Sequence, residues 1–568
     1  MKFSQYTYER PQMEELTKNF HQELQLFTEA ATFQAQDEAM SRLMTLRNHF
    51  ETMESLAHVR YTTNTNDVFY REEKAFFDDV TPSYQGLISE FFQALTSSTF
   101  RNELENKWNP HLFALAQAEL QTYSPAVEEK LKEENKRVSA YVKLLASAQI
   151  DFQGEKRTLS QLIPFTQSPD REVRRAAVVA RFQFFEENKD TFDEMYDALV
   201  TLRTAIAKEL GFNSYTELAY QRLHRTDYTK EDVKAFRQQV KEHLVPFCNE
   251  MREKQRQRIG VESLRFHDDT FSFPDGNPKP QGDADWIVKQ AGEIFKEMSP
   301  ETDTFYQFME QSELLDLVSK EGKAPGGYCT YMTDFGAPFI FANFNGSQGD
   351  VKVLLHEAGH AFQAYSSRHF QVPEYLSPTL EACEIHSMSM EFLAYPWLEQ
   401  LFGEETARYK YDHLMNAVKF IPYGVAVDEF QHWVYEYPEA TPAERKEAWR
   451  NIEREYLPHR NYDGISFLEE GGFWQNQPHI YKRPFYYIDY TLAQICALQF
   501  WQRSRHSFDE AWQAYYQLCC EGGSKPFTEL LKVAGLQSPF KPGCVETVLD
   551  EVRKWEAAFD ESSLQMKS

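Results

Sequence analysis

Two histidines four residues apart, with a glutamate between them, are the best-placed residues in this chain to do chemistry: His356, Glu357 and His360 in VKVLLHEAGHAF. On a helix, positions i and i+4 share one face a turn apart, so both imidazoles can reach one ion. Glu357 then stands near the open coordination position, where a carboxylate can take a proton from water. The usual metal of an H-E-x-x-H arrangement is zinc, here expected as one ion per chain. Chance yields such a match roughly 0.04 times in a chain of this size. A lone match is suggestive, and a third ligand is needed to make it a site.

Candidates follow in PTLEACEIHSMSMEFLAY, residues 378–395, where Glu381, Glu384 and Glu391 fall at spacings of three and seven. Helical periodicity places them on one face. The plain alternative is a solvated acidic stripe, but Ile385, Met388, Met390, Phe392 and Leu393 leave little room for a solvent-facing side. Carboxylates on so apolar a helix need a positive partner, which two histidines and zinc provide. One glutamate can ligate while the others orient the histidines. Spacing alone does not choose between Glu381 and Glu384, and Glu381 lies closer to the thermolysin-like separation.

A third cluster lies in PHIYKRPFYYIDY, where His479, Tyr481, Tyr486, Tyr487 and Tyr490 fall within twelve residues. Attack on a peptide carbonyl creates an oxyanion, and neutral imidazole and phenol hydroxyls can both donate to it. Gly471 and Gly472, just upstream, could let the segment move. The competing reading is that residues 485–490 only begin a core helix.

These motifs together resemble the thimet-oligopeptidase-like zinc metallopeptidase superfamily, and within it the oligoendopeptidase F / Pz-peptidase branch. The resemblance rests on HEAGH, on the Glu384, Ser387, Met388, Glu391 pattern, on APFIFANFNGSQGDV before the helix, and on the late His/Tyr segment, spanning roughly residues 326–490. It selects Glu384 as third ligand, because in relatives a second glutamate follows the ligand by seven residues. Glu381 becomes a candidate for the outer shell, and His386, where relatives more often carry proline or a small residue, receives no role. By the same similarity His479 and Tyr490 become the oxyanion or substrate donors, with Tyr487 next and Tyr481 and Tyr486 as alternatives.

The implied fold is mostly α: a large two-lobed helical metallopeptidase with a small β-sheet beside the zinc-binding helix and a deep central channel. Residues 1–200 would form an N-terminal lobe and 201–568 the catalytic lobe, as one functional unit. The implied activity is zinc-dependent endopeptidase cleavage of short unfolded peptides, with Glu357 as general base. A zinc carboxypeptidase on a related fold, using Arg483 to pin a terminal charge, and a non-catalytic peptide binder are the competing readings. An intact Glu357 argues against the binder.

The elements that must position these residues are legible in part. Residues 326–344, GGYCTYMTDFGAPFIFANF, are aromatic and β-branched, and 339–344 alternate as a strand does. The strand at 338–344 could hold a substrate backbone by strand addition. Asp350 is a sensible cap for the HEAGH helix. The clearest helical pattern covers 168–211, with Ser168 as cap, Pro169 in the first turn and Gly211 as stop. Residues 274–283, PDGNPKPQGD, read as the one loop dense in proline and glycine.

Composition bounds the rest. At 568 residues and 42% hydrophobic, the chain can build a large core, and a net charge of -27 disfavours a nucleic-acid or anionic-membrane partner. Seven scattered cysteines without C-x-x-C, no signal-like start and no 18-residue apolar run point to a cytoplasmic protein. The odd figure is 15% aromatics. Most should be core, with a small share in 326–344 and 478–490 near the substrate.

Overall fold

The computed structural model describes residues 1–564 other than Glu321 and Pro325. Among these, twenty-six α-helices and five short strands make the chain mostly α with a minor sheet component. The helices used below are α1 (Phe33–Thr63), α2 (Arg171–Glu187), α3 (Lys189–Glu209), α4 (Gln348–Ser366), α5 (Leu380–Leu393), α6 (Thr406–Glu436) and α7 (Tyr487–His506). The strands are β1 (Ile150–Phe152), β2 (Glu155–Arg157), β3 (Leu315–Val318), β4 (Tyr328–Met332) and β5 (Ala337–Phe344).

The pattern over 168–211 resolves into α2 and α3, broken only at Asn188. Asp170, not Ser168, caps α2, its carboxylate accepting from the Glu172 amide at 2.9 Å. The sequence division between 200 and 201 falls inside α3. One hydrophobic cluster joins Tyr6 near the N-terminus to Leu564 near the end of the described chain. A second gathers the early helices, from Phe20 to Ala116, and reaches Val372 and Tyr375.

The sheet beside α4 has strand order β3-β5-β4. β5 pairs in parallel with β3 and antiparallel with β4. Its backbone groups are therefore committed on both sides, and it cannot accept a substrate strand. The expectation that residues 338–344 take up substrate by strand addition is corrected on this ground. Gly336, at φ 56°, makes the left-handed turn that brings β4 back as β5.

Ser347, not Asp350, caps α4, accepting from the Gly349 amide. Asp350 sits one turn in and accepts from the amides of Asn345 and Gly346, at 2.9 and 2.6 Å. It thereby ties the strand-to-helix corner that sets the direction of α4.

α4 and α5 approach at Gly359, the glycine of HEAGH. A Cβ there would lie 2.5 Å from the His386 carbonyl oxygen and 2.7 Å from the Ser387 Cα. The motif's glycine is what lets the carboxylates of α5 come near the histidines of α4. α5 packs in turn on α7 and α4, and α7 on α6.

Candidate active site

His356, His360 and Glu384 come together. One atom from each lies within 4.8 Å of the others. Both imidazoles aim Nε2 at the same carboxylate oxygen, Glu384 Oε2, at 3.3 and 3.6 Å. The second Glu384 oxygen accepts from the Tyr486 hydroxyl at 3.0 Å, and Ser387 Oγ donates to Oε2 at 2.9 Å. Two imidazole nitrogens and one carboxylate oxygen converging in this way are a donor set that fits zinc.

Glu391, one α-helical double turn beyond Glu384, holds the first histidine from behind. Its Oε1 lies 2.7 Å from His356 Nδ1, and its Oε2 lies 2.6 Å from His413 Nε2. His413 is held at Nδ1 by the Tyr395 hydroxyl at 2.7 Å. A relay of Tyr395, His413 and Glu391 thus fixes which nitrogen of His356 faces the site. Glu381 does not join it. Its carboxyl is fully buried, and its neighbours are Arg225, Tyr228, Asp227 and Asp489. Of the two, Glu391 and not Glu381 bonds a histidine of the group.

The electrostatics follow this geometry. Burial works to raise the Glu384 carboxyl, but the hydrogen bond from His356 and the charges of both histidines outweigh it and hold the group down at about 2. Burial alone would lower His356, yet its bonds to Glu384 and Glu391 lift it to about 10. His360 falls to about 4, chiefly through burial. Two buried carboxylates facing two histidines thus favour positive charge at the point where the donors meet.

Glu357 lies on the same helix with its carboxyl in the cavity, 7% exposed. Burial, reinforced by the charges of Glu384 and Glu391, raises it to about 7. Its Oε2 has no hydrogen-bond partner. A buried carboxylate oxygen left open next to a metal-type donor set is what a proton acceptor requires.

The late segment reaches the cavity by an unusual turn. Phe485 is buried with φ 66°, a left-handed conformation rare for a bulky residue. The Gln431 side chain accepts from its amide at 2.9 Å, and Arg225 donates to its carbonyl at 2.6 Å while pairing with Asp489. This pinned turn starts α7 with Tyr486, Tyr487 and Tyr490 in sight of the histidines.

His479 and Tyr490 meet at 3.4 Å between Nε2 and the hydroxyl. His479 Nδ1 lies 2.7 Å from the Gln477 amide nitrogen, and Gln477 Oε1 accepts from the Tyr423 hydroxyl at 2.8 Å. An amide nitrogen can only donate, so Nδ1 accepts and the proton of the neutral ring sits on Nε2. Burial, aided by Lys482, lowers His479 to about 4, which keeps it neutral near pH 7. Tyr487 lines the same cavity, its ring 4.9 Å from that of His479. Tyr486 serves Glu384 instead. Tyr481 is fully buried, donates to the Phe192 carbonyl and stacks on Tyr141, so it is core. Arg483 is exposed, its guanidinium 5.4 Å from the Tyr486 ring centre.

His356, Glu357, His479, Tyr487 and Tyr490 face one cavity of about 810 Å³, lined also by Gly326, Gly327 and Asn343. Gly326 and Gly327 lead into the edge strand β4. Tyr395, His413, Tyr423 and Gln477 are the supporting residues that sequence reasoning missed. Each comes from a segment whose local pattern reads as ordinary core or loop.

The chain matches the Peptidase M3 N-terminal domain over residues 3–123 and Peptidase family M3 over 164–273 and 301–548. A solved structure described as Pz peptidase A with an inhibitor is 56% identical, with a TM-score of 0.95 over 99% of this chain and all of that one. Oligopeptidase PepF of Bacillus subtilis (strain 168) is 22% identical, over 93% of this chain and 80% of its own. An oligoendopeptidase F homolog of Borreliella burgdorferi is 24% identical, over 69% and 67% respectively.

Proposed function

We propose a zinc-dependent mechanism for this chain, which belongs to peptidase family M3, in its oligoendopeptidase F branch, and is a peptide-hydrolysing metalloendopeptidase. The observation that carries the mechanism is the convergence of two imidazole nitrogens and a Glu384 oxygen within 4.8 Å, with the Glu357 carboxyl in the same cavity. His356, His360 and Glu384 would hold one zinc ion. When bound, zinc supplies a Lewis acid for the scissile carbonyl and makes a water acidic enough to attack at neutral pH.

The chain's own residues do the rest. Glu391 keeps His356 turned with Nε2 inward. Glu357 takes the proton of the attacking water and returns it to the leaving nitrogen. His479, through Nε2–H, and Tyr490, through its hydroxyl, donate to the carbonyl oxygen as negative charge develops. Tyr487, its ring beside those of His479 and Tyr490, serves as the next donor. The edge strand β4, which pairs only with β5 within the sheet, is the strand through which a substrate backbone would be held. Short unfolded peptides fit a cavity of this size, whereas a folded protein would not enter it.

A quenched peptide blocked at both ends tests this reading. Internal cleavage that a chelator abolishes and one equivalent of zinc restores is the expected result. Cleavage that survives complete metal removal would contradict it.

A further inference from the structure

A second cavity, of about 510 Å³, shares Ile163, Asn416 and Phe420 with the active-site cavity, so the two are neighbours across one wall of α6. Its character is different. Arg181, Arg252, Lys419 and Arg460 line it against two carboxylates, Asp269 and Asp412. That is an excess of positive charge inside a chain whose net charge is -27.

Of the cations, Arg460 is paired from behind by the buried Glu453 at 2.9 Å. Asp269, on the cavity wall, lies 3.8 Å from Arg252, beyond hydrogen-bond reach. Asp412 is taken up by Ser272 and Gln348, at 2.5 and 3.1 Å. Lys419 is 8% exposed, and its ammonium has one long bond, 3.5 Å to the Gln255 side chain. Among the described residues it has no ion pair. Burial and the neighbouring Arg252 accordingly press it down to about 7. A buried ammonium without a carboxylate either gives up its proton or is stabilised by an anion that joins it.

We propose that this cavity is a carboxylate subsite for the peptide substrate, taking the free C-terminal carboxylate or an acidic side chain at Lys419. The proposal rests on the peptidase reading above and adds to it a rule for which peptides are preferred. Gln348, at the start of α4, lines this cavity, while His356 lies on the order of 12 Å further along the same helix. An extended peptide covers that distance in roughly three to four residues. Cleavage would then be registered from the carboxylate, and where that carboxylate is the C-terminal one the chain beyond the scissile bond is kept short as well.

Four quenched peptides of one sequence test it: free acid and C-terminal amide, each with Glu or Gln three to four residues beyond the scissile bond. The amidated Gln peptide is the internal control, because the zinc mechanism alone predicts that it is cut. The wild type should favour the carboxylate-bearing peptides by about tenfold in kcat/KM. A preference for free acids irrespective of Glu identifies the terminal carboxylate; a preference for Glu peptides when amidated identifies the side chain. Lys419→Met should bring the ratio near one, and Lys419→Arg should recover it. Equal rates on all four peptides, or a preference that survives Lys419→Met, would overturn the proposal. The wild-type comparison decides even if a variant does not fold.

Discussion

At the scale of single residues, the site depends on atoms that have one orientation available. Glu384 offers Oε2 to both histidines because Tyr486 occupies its other oxygen. His356 presents Nε2 because Glu391 occupies Nδ1. Glu391→Gln should therefore weaken zinc affinity by about 10- to 100-fold in a competition titration, with the fold intact. Wild-type affinity would show that His356 needs no such support. The two tyrosines Tyr490 and Tyr481 make an informative pair. Tyr490→Phe should lower kcat by about a hundredfold with KM little changed, as losing a transition-state donor does. Tyr481→Phe should leave kcat alone and show only in thermal stability, since its hydroxyl serves the Phe192 carbonyl. An unchanged kcat in Tyr490→Phe would move the donor role to Tyr487.

At the scale of elements, the sequence announced the ligand helix but not what brings its partner near. The i, i+4 histidines are a local pattern and so were readable, whereas spacing left Glu381 and Glu384 open and only the family resemblance selected Glu384. The glycine of HEAGH was not readable as a spacer, because the atoms it avoids belong to His386 and Ser387 on another helix. Gly359→Ala should push α5 away from α4, destabilise the fold by about 1–3 kcal/mol in a denaturant melt, and weaken zinc binding as well. Unaltered stability and zinc affinity would mean that the helices can separate without consequence. Caps were misread for a related reason: Asp350 and Ser168 both look like caps locally, and the choice of Ser347 and Asp170 depends on where the preceding turn leaves the chain. β5 reads as a strand, yet its central place in the sheet depends on β3, a pairing partner more than twenty residues upstream.

At the scale of the molecule, the aromatic excess divides as its burial does. Residues such as Tyr196, Trp449, Trp474 and Phe500 are fully buried core, while Phe344, Phe420, Tyr487 and Tyr490 line the cavity. The seven cysteines are unpaired, and no described helix is long and apolar enough to cross a membrane. The support for the site comes from segments distant in sequence: Tyr395 and His413 behind Glu391, Tyr423 and Gln477 behind His479. Such relays exist only once the helices are assembled, which is why no local pattern revealed them. The central claim is that this assembly holds zinc with His356, His360 and Glu384 and leaves proton transfer to Glu357. The most direct measurement is zinc stoichiometry beside turnover in the wild type and Glu357→Gln. The account predicts one zinc per chain in both proteins, with turnover reduced by at least about a hundredfold in the variant. Near-normal turnover in a zinc-loaded Glu357→Gln protein would contradict it.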